Sequence, residues 1–320
     1  MYESIKNFNK QFSYQPVVEN KEAKKGASGF IVNGMGGSAL PAMVLKTWIP
    51  GLDVSINRTY DLSGFSRENL QNKLIILSSY SGNTEEVISV FNEAKKGGLN
   101  MAVVSTGGKL LSLAKENKTP YIELPKAGIQ PRMALGFFIK AFLKLMDKED
   151  ELGKLNELEN ILSPALYEEK GKMLAQNSKD KVPVIYASDR NLSLAYIWKI
   201  KLNETGKIPA FYNVLPELNH NEMTGFDVME PTKKLSVGFR FIILKDIDDN
   251  EMVLKRMEVL EKLYKDRGLD VEVVEIKEKN SWIKIFSSLL LADWFAYYTA
   301  NAYGLEAEQV PMVEEFKKLI

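Results

Sequence analysis

Short runs rich in β-branched residues, most of them followed by a stretch with helical spacing, constrain this chain more than any other feature. In the first half they are GFIVN at 29–33, DVSIN at 53–57, KLIILS at 73–78, MAVV at 101–104 and YIEL at 121–124. Strands separated by helical segments do not pair as hairpins. Each crossover helix returns the next strand parallel to the last, so the pattern predicts a parallel sheet with helices on its faces. After a helix expected over 131–146, the polar stretch DKEDELGK at 147–154 interrupts the rhythm. The alternation then restarts, with strands expected at 182–187, 235–244 and 269–276 and a helix over about 191–207. The expectation is an α/β protein of two tandem units, 1–150 and 151–320, long enough for two cores of ordinary size. FIVNGMGGSAL in the first half and VIYASDRNLSL in the second share the order strand, turn, helix, a pattern of degenerate duplication in which glycines remain only in the first copy.

Composition narrows the partners. Forty-two basic and 42 acidic residues cancel, so no global field draws the chain to nucleic acid or to an anionic membrane, and a small-molecule partner is expected. With no cysteine and one histidine, disulfides, thiolate catalysis and an imidazole-built zinc site are all excluded; no metal or cofactor is expected. The absence of cysteine suits a cytoplasmic protein. The N-terminus lacks the layout of a signal peptide, and the longest apolar stretch, 282–302, is interrupted by Lys284 and Asp293, so no membrane span is expected.

Two loops have the chemistry to hold an anion. NGMGGS at 33–38 follows a strand and opens a helix, where glycines let backbone amides approach a phosphate. It is neither a Walker loop nor a clean dinucleotide fingerprint, and a turn that merely needs positive φ angles would look the same. SSYSGNTEE at 78–86 is more telling. Ser79, Ser81 and Thr84 cluster between a strand end and a helix start, whereas capping that helix would need only Ser81 or Thr84.

The one histidine, His220, lies in the polar run PELNHNE at 216–222, where Glu217, Asn219, Asn221 and Glu222 could orient its imidazole by hydrogen bonds. Glu204 falls late on a helix that begins at a strand end. It is read either as a proton-shuttling carboxylate in a cleft at the sheet's carboxyl edge or as an ion-pair partner of Lys201 or Lys207.

SYSGNTEE with the upstream GMGGSA resembles the sugar isomerase (SIS) domain. KIKLNETGK at 199–207 followed by PELNHNE resembles the bifunctional phosphoglucose/phosphomannose isomerase family, over essentially the whole chain, with Gly206 standing where an alanine is usual. The resemblance implies two SIS domains, each a flavodoxin-like sandwich. It further implies metal-independent, cofactor-free interconversion of glucose 6-phosphate and fructose 6-phosphate, and of mannose 6-phosphate and fructose 6-phosphate, through an enediol. On this resemblance Gly37, Ser38, Ser79, Ser81 and Thr84 hold the phosphate and Glu204 is the base. His220 opens the sugar ring, donated by the neighbouring subunit of a homodimer. Arg132 in QPRMAL stabilises the enediolate, and Lys317 assists binding, with Lys318 beside it. The small hydroxyl residue linked to dual specificity in the family has no counterpart in EAEQV at 306–310. Two alternatives share the phosphate loops. A noncatalytic phosphosugar-binding regulator would be expected to carry a DNA-binding domain, and an amino-sugar phosphate isomerase would lack PELNHNE.

Overall fold

In the computed structural model of the chain, residues 1–319 are described and fold into two units, Asn7–Ile161 and Met1–Lys6 with the residues from Leu162 onward. The first unit holds β1 (Gly29–Gly34), β2 (Val54–Asn57), β3 (Lys73–Ser78), β4 (Met101–Ser105) and β5 (Tyr121–Glu123). They form one sheet in the order β2-β1-β3-β4-β5, and every pairing is parallel. Every residue of β3 and β4 is buried, which explains why these strands read as unbroken apolar runs: helices cover both faces. On one face Ile31, Ile75, Leu77 and Val103 pack against Val87, Val90 and Phe91 of the Glu85–Lys96 helix and Leu110 and Ala114 of the Gly108–Glu116 helix.

The chain leaves β1 toward β2 and leaves β3 toward β4, in opposite directions. The carboxyl ends of β1 and β3 are thus the switch point of the sheet, where crossover helices part and leave a crevice. The helix expected over 131–146 is divided into a 3-10 turn, Pro131–Met133, and a helix, Leu135–Leu145. The buried Gln11 side chain accepts hydrogen bonds from the amides of Gly136 and Phe137 at the start of that helix, at 3.0 and 3.3 Å. The polar stretch at 147–154 is not a linker. It enters the Glu149–Asn156 helix, whose Leu152 and Leu155 are buried, and the chain passes to the second unit only after Ile161.

The second unit holds β6 (Val182–Ser188), β7 (Phe211–Leu215), β8 (Phe239–Asp246) and β9 (Asp270–Ile276), all parallel, in the order β7-β6-β8-β9. β7 was not legible in the sequence, and the strand expected at 235–244 starts at Phe239 because Lys233–Ser236 close a helical turn. One face of this sheet carries Val184, Tyr186 and Phe241, which pack with Leu218, Met223 and Phe226 and with Met257, Leu260 and Tyr264 of the Glu251–Asp266 helix. Side chains alternate along a strand. The other face takes the Leu192–Glu204 and Ser281–Ala302 helices, joined by Trp198 Nε1 donating to Ser288 Oγ at 3.0 Å. The two charges that interrupt the long apolar helix are both buried in ion pairs: Lys284 with Asp246 and Asp248, and Asp293 with Lys201. No helix among the described residues is long and apolar enough to cross a membrane.

Candidate active site

The first unit gathers its expected residues at the β1/β3 switch point. Gly36 turns the chain after β1 with a φ of +47°, and Gly37 lies so close to the Pro131–Met133 turn that an added Cβ would stand 2.8 Å from the Arg132 amide nitrogen. Glycine at 37 is therefore what lets Arg132 come up against the loop. Ser38 Oγ accepts a hydrogen bond from the Tyr80 amide at 3.0 Å, while Ser78 Oγ donates to the Ser38 carbonyl at 2.9 Å. These bonds join the glycine loop to the hydroxyl loop.

Within the hydroxyl loop, Ser79 Oγ and Thr84 Oγ1 are 2.7 Å apart, and Ser79 Oγ also accepts the Gly82 amide at 3.0 Å. Thr84 occupies the N-cap position of the Glu85–Lys96 helix, yet its side chain makes no capping hydrogen bond. Its hydroxyl is turned to Ser79 instead. Ser81 is exposed, and its Oγ accepts the Asn83 amide at 3.2 Å. Hydroxyls and amides at the opening of a helix, in a sheet crevice, can bind the oxygens of a dianion with little reorganisation. Arg132 is 3% exposed and buries its positive charge beside this loop pair.

A third loop, residues 106–109 after β4, went unremarked in the sequence although Thr-Gly-Gly-Lys after a strand was a readable signal. It braces the hydroxyl loop. Thr106 donates to the Tyr80 carbonyl through its amide and its hydroxyl, at 3.1 and 2.7 Å, and the Lys109 and Leu110 amides donate to Asn83 Oδ1 at 3.0 Å and the Gly82 carbonyl at 2.8 Å.

The second unit carries Glu204, His220 and Lys317, and it does not bring Glu204 and His220 together. The Leu192–Glu204 helix starts beyond the carboxyl end of β6 and runs back along it, so Glu204 lies toward the amino edge of the sheet. This corrects the expected placement at the carboxyl edge: a helix of this length, at about 1.5 Å per residue, spans the strand it returns along. His220 follows the carboxyl end of β7, in the Glu217–His220 turn on the opposite face of the sheet. Lys201 pairs with Asp293, and the Lys207 ammonium donates to the Glu204 backbone carbonyl at 2.5 Å and to the Gln309 carbonyl.

His220 is exposed, and the four polar neighbours expected to orient it make no hydrogen bond to it among the described residues. They bond elsewhere: Asn221 Nδ2 donates to Glu217 Oε1 at 2.8 Å, and Glu222 accepts from Tyr186 and Asn213. Lys317 is exposed on the Pro311–Leu319 helix and pairs with Glu314 at 2.8 Å; Lys318 is exposed beside it.

The β6/β8 switch point of the second sheet is topologically equivalent to the phosphate-type crevice of the first, and it is closed by the protein's own charges. Ser188 Oγ donates to Asp249 Oδ1 at 2.9 Å, and Lys284 Nζ to Asp246 Oδ1 at 2.5 Å. Arg190 lies 3.6 Å from both Asp246 and Asp249. Burial, with Asp246 adding to it, raises the Asp249 carboxyl above the usual range.

Residues 167–320 match the family described as bacterial phospho-glucose isomerase C-terminal SIS domain. The bifunctional phosphoglucose/phosphomannose isomerase of Aquifex aeolicus is 31% identical over 99% of this chain and 97% of its own length. The protein of the same name from Caldicellulosiruptor bescii is 31% identical over 90% of this chain and 88% of its own. Among solved structures, glucosamine-6-phosphate deaminase from Thermotoga maritima has the same fold, with a TM-score of 0.71 at 16% identity over 97% of both chains.

Proposed function

Because the chain belongs to the bifunctional phosphoglucose/phosphomannose isomerase family, we propose that it interconverts glucose 6-phosphate and fructose 6-phosphate, and mannose 6-phosphate and fructose 6-phosphate. The phosphate is held by Ser38, Ser79, Ser81, Thr84 and the amide of Gly37. His220 takes the proton of the anomeric hydroxyl and returns one to the ring oxygen, which opens the ring. Glu204 then removes the C2 proton of the aldose and delivers a proton to C1 through the enediol, while Arg132 stabilises the negative charge developing on its oxygen. Lys317 assists binding. Glucose and mannose 6-phosphates differ only at C2, which is planar in the enediol, so one base serves both.

The observation that carries this reading is the Ser79–Thr84 hydroxyl pair, since Thr84 forgoes its helix cap to join it. The separation of Glu204 from His220 supports a further part of it. A site that needs both residues draws them from two chains, so the active form is proposed to be a homodimer in which each His220 serves its neighbour.

The test is incubation of purified protein with EDTA and, separately, fructose, glucose, mannose and glucosamine 6-phosphates. Interconversion of the first three is expected. Turnover of glucosamine 6-phosphate alone would point to an amino-sugar isomerase, and no turnover at all would leave only a phosphosugar-binding role.

A further inference from the structure

The His220 imidazole makes no hydrogen bond among the described residues, so it is placed by whatever holds its segment. The Glu217–His220 turn and the Glu222–Gly225 helix have four residues each, too few to keep a shape by their internal bonds alone. We propose that Glu222 positions His220 by clamping this segment to the sheet through Tyr186 of β6 and Asn213 of β7.

Both carboxylate oxygens are committed. Tyr186 donates its hydroxyl to Oε1, and Asn213 Nδ2 donates to Oε2 at 2.5 Å. Tyr186 and Asn213 are register partners on adjacent strands, so the clamp spans two strands at one level. Asn213 is itself oriented, because its Oδ1 accepts the Val214 amide at 2.8 Å and its amide nitrogen is left to face Glu222. Tyr186 is fully buried, its ring 5.5 Å from that of Phe241, and Phe226, just past the short helix, lies 4.7 Å from the same Phe241. On the other side, Glu222 is tied back across the histidine: its amide donates to Asn221 Oδ1 at 2.6 Å, and Asn221 Nδ2 reaches Glu217. The chain of bonds from Glu217 through Asn221 and Glu222 to the sheet brackets His220 without touching it. A glutamine could keep its oxygen for the Asn213 amide and donate to the Tyr186 hydroxyl, which also accepts, whereas an alanine removes both bonds.

The inference rests on His220 opening the sugar ring, and the test separates the two ideas. In a Glu204→Gln background isomerisation is blocked, and ring opening is read alone as the exchange between α and β anomers of glucose 6-phosphate by NMR. Anomer exchange is expected in E204Q; its absence, or its persistence when His220→Ala is added, would overturn the role of His220 itself. Adding Glu222→Ala, which removes both bonds of the clamp, is expected to slow exchange by about 10- to 100-fold, the scale of a catalytic group displaced by about 1 Å. Inhibition of wild-type-background E222A by inorganic phosphate should stay unchanged. Tyr186→Phe, which removes one bond and keeps the carboxylate, should fall between. Exchange within twofold of the E204Q parent in both variants would overturn the proposal, as would a loss that merely follows the fraction unfolded in melting curves.

Discussion

Glu204 and His220 stand toward opposite edges and on opposite faces of the second sheet, with the Leu192–Glu204 helix on one side and the Glu217–His220 turn on the other. The five-residue strand β7 alone separates the edges by roughly 16 Å at about 3.3 Å per residue. The proposal that one sugar draws Glu204 and His220 from different chains can be tested without a dimer structure. Glu204→Gln and His220→Ala should each lose at least about 100-fold in kcat, the usual scale for a general acid or base. Mixing the two after reversible dissociation should restore up to about a quarter of wild-type activity, because one site in each mixed dimer regains both groups. No recovery in a verified heterodimer would place the two residues in the same site.

Thr84→Val removes the hydroxyl that meets Ser79 at 2.7 Å. Hydrogen bonds to a charged group are worth about 1.5–3 kcal/mol, so the Ki of inorganic phosphate and the KM for phosphosugars should rise about 10- to 100-fold. Because this side chain makes no capping bond, the melting temperature should hold; a fall on the scale of a lost cap, about 1 kcal/mol, would restore the capping role.

Gly108→Ala tests the brace on the same loop. Gly108 has a φ of +69°, and an added Cβ would lie 2.3 Å from the Ser81 carbonyl oxygen and 2.8 Å from Asn83 Oδ1. The hydroxyl loop must yield, and KM should rise by roughly an order of magnitude through displaced phosphate contacts. Gly107→Ala is the control, since its Cβ would meet only Lys126 Cε, at 3.8 Å. Equal effects of the two changes would sink the bracing role.

Lys140 offers a pH dependence with a defined sign. The side chain is buried, its ammonium donating to the Phe12 carbonyl and, at 2.7 Å, to Asn156 Oδ1, and burial pulls its pKa from 10.5 to about 8. Between those values the unfolded chain binds more protons than the folded one, so this residue's contribution to stability rises with pH across that window. Its full penalty stands below pH 8. Melting temperatures of wild type relative to Lys140→Met should climb between pH 8 and 10; parallel curves would show that Lys140 keeps an ordinary affinity for its proton.

The first sheet was legible because β3 and β4 are buried on both faces, and an unbroken apolar run bounded by turn residues has few other meanings. β7 hid for the opposite reason. It is an edge strand, only Leu215 of its five residues is buried, and Asn213 sits in its middle as a clamp residue. The hydroxyl loop drew notice through residue types alone, since hydroxyls in excess of one cap ask for another role. What the sequence concealed was direction. Glu204 was read at the carboxyl edge because a helix that starts there was not followed to its far end. The bonds of Glu222 were assigned to its neighbour His220 rather than to strands 36 and nine residues away.

The closed switch point of the second sheet has an electrostatic consequence for a dianion that meets this molecule. At the β1/β3 crevice it finds hydroxyls, amides and a buried guanidinium; at the β6/β8 crevice it finds Asp246, Asp248 and Asp249 already holding Lys284 and Arg190. The two crevices differ in the groups they present, although the two sheets share a topology. A repeated fold thus supplies a competing anion from its own chain at one switch point and not at the other, and on the proposed reading a phosphosugar has one seat where symmetry of the backbone would offer two.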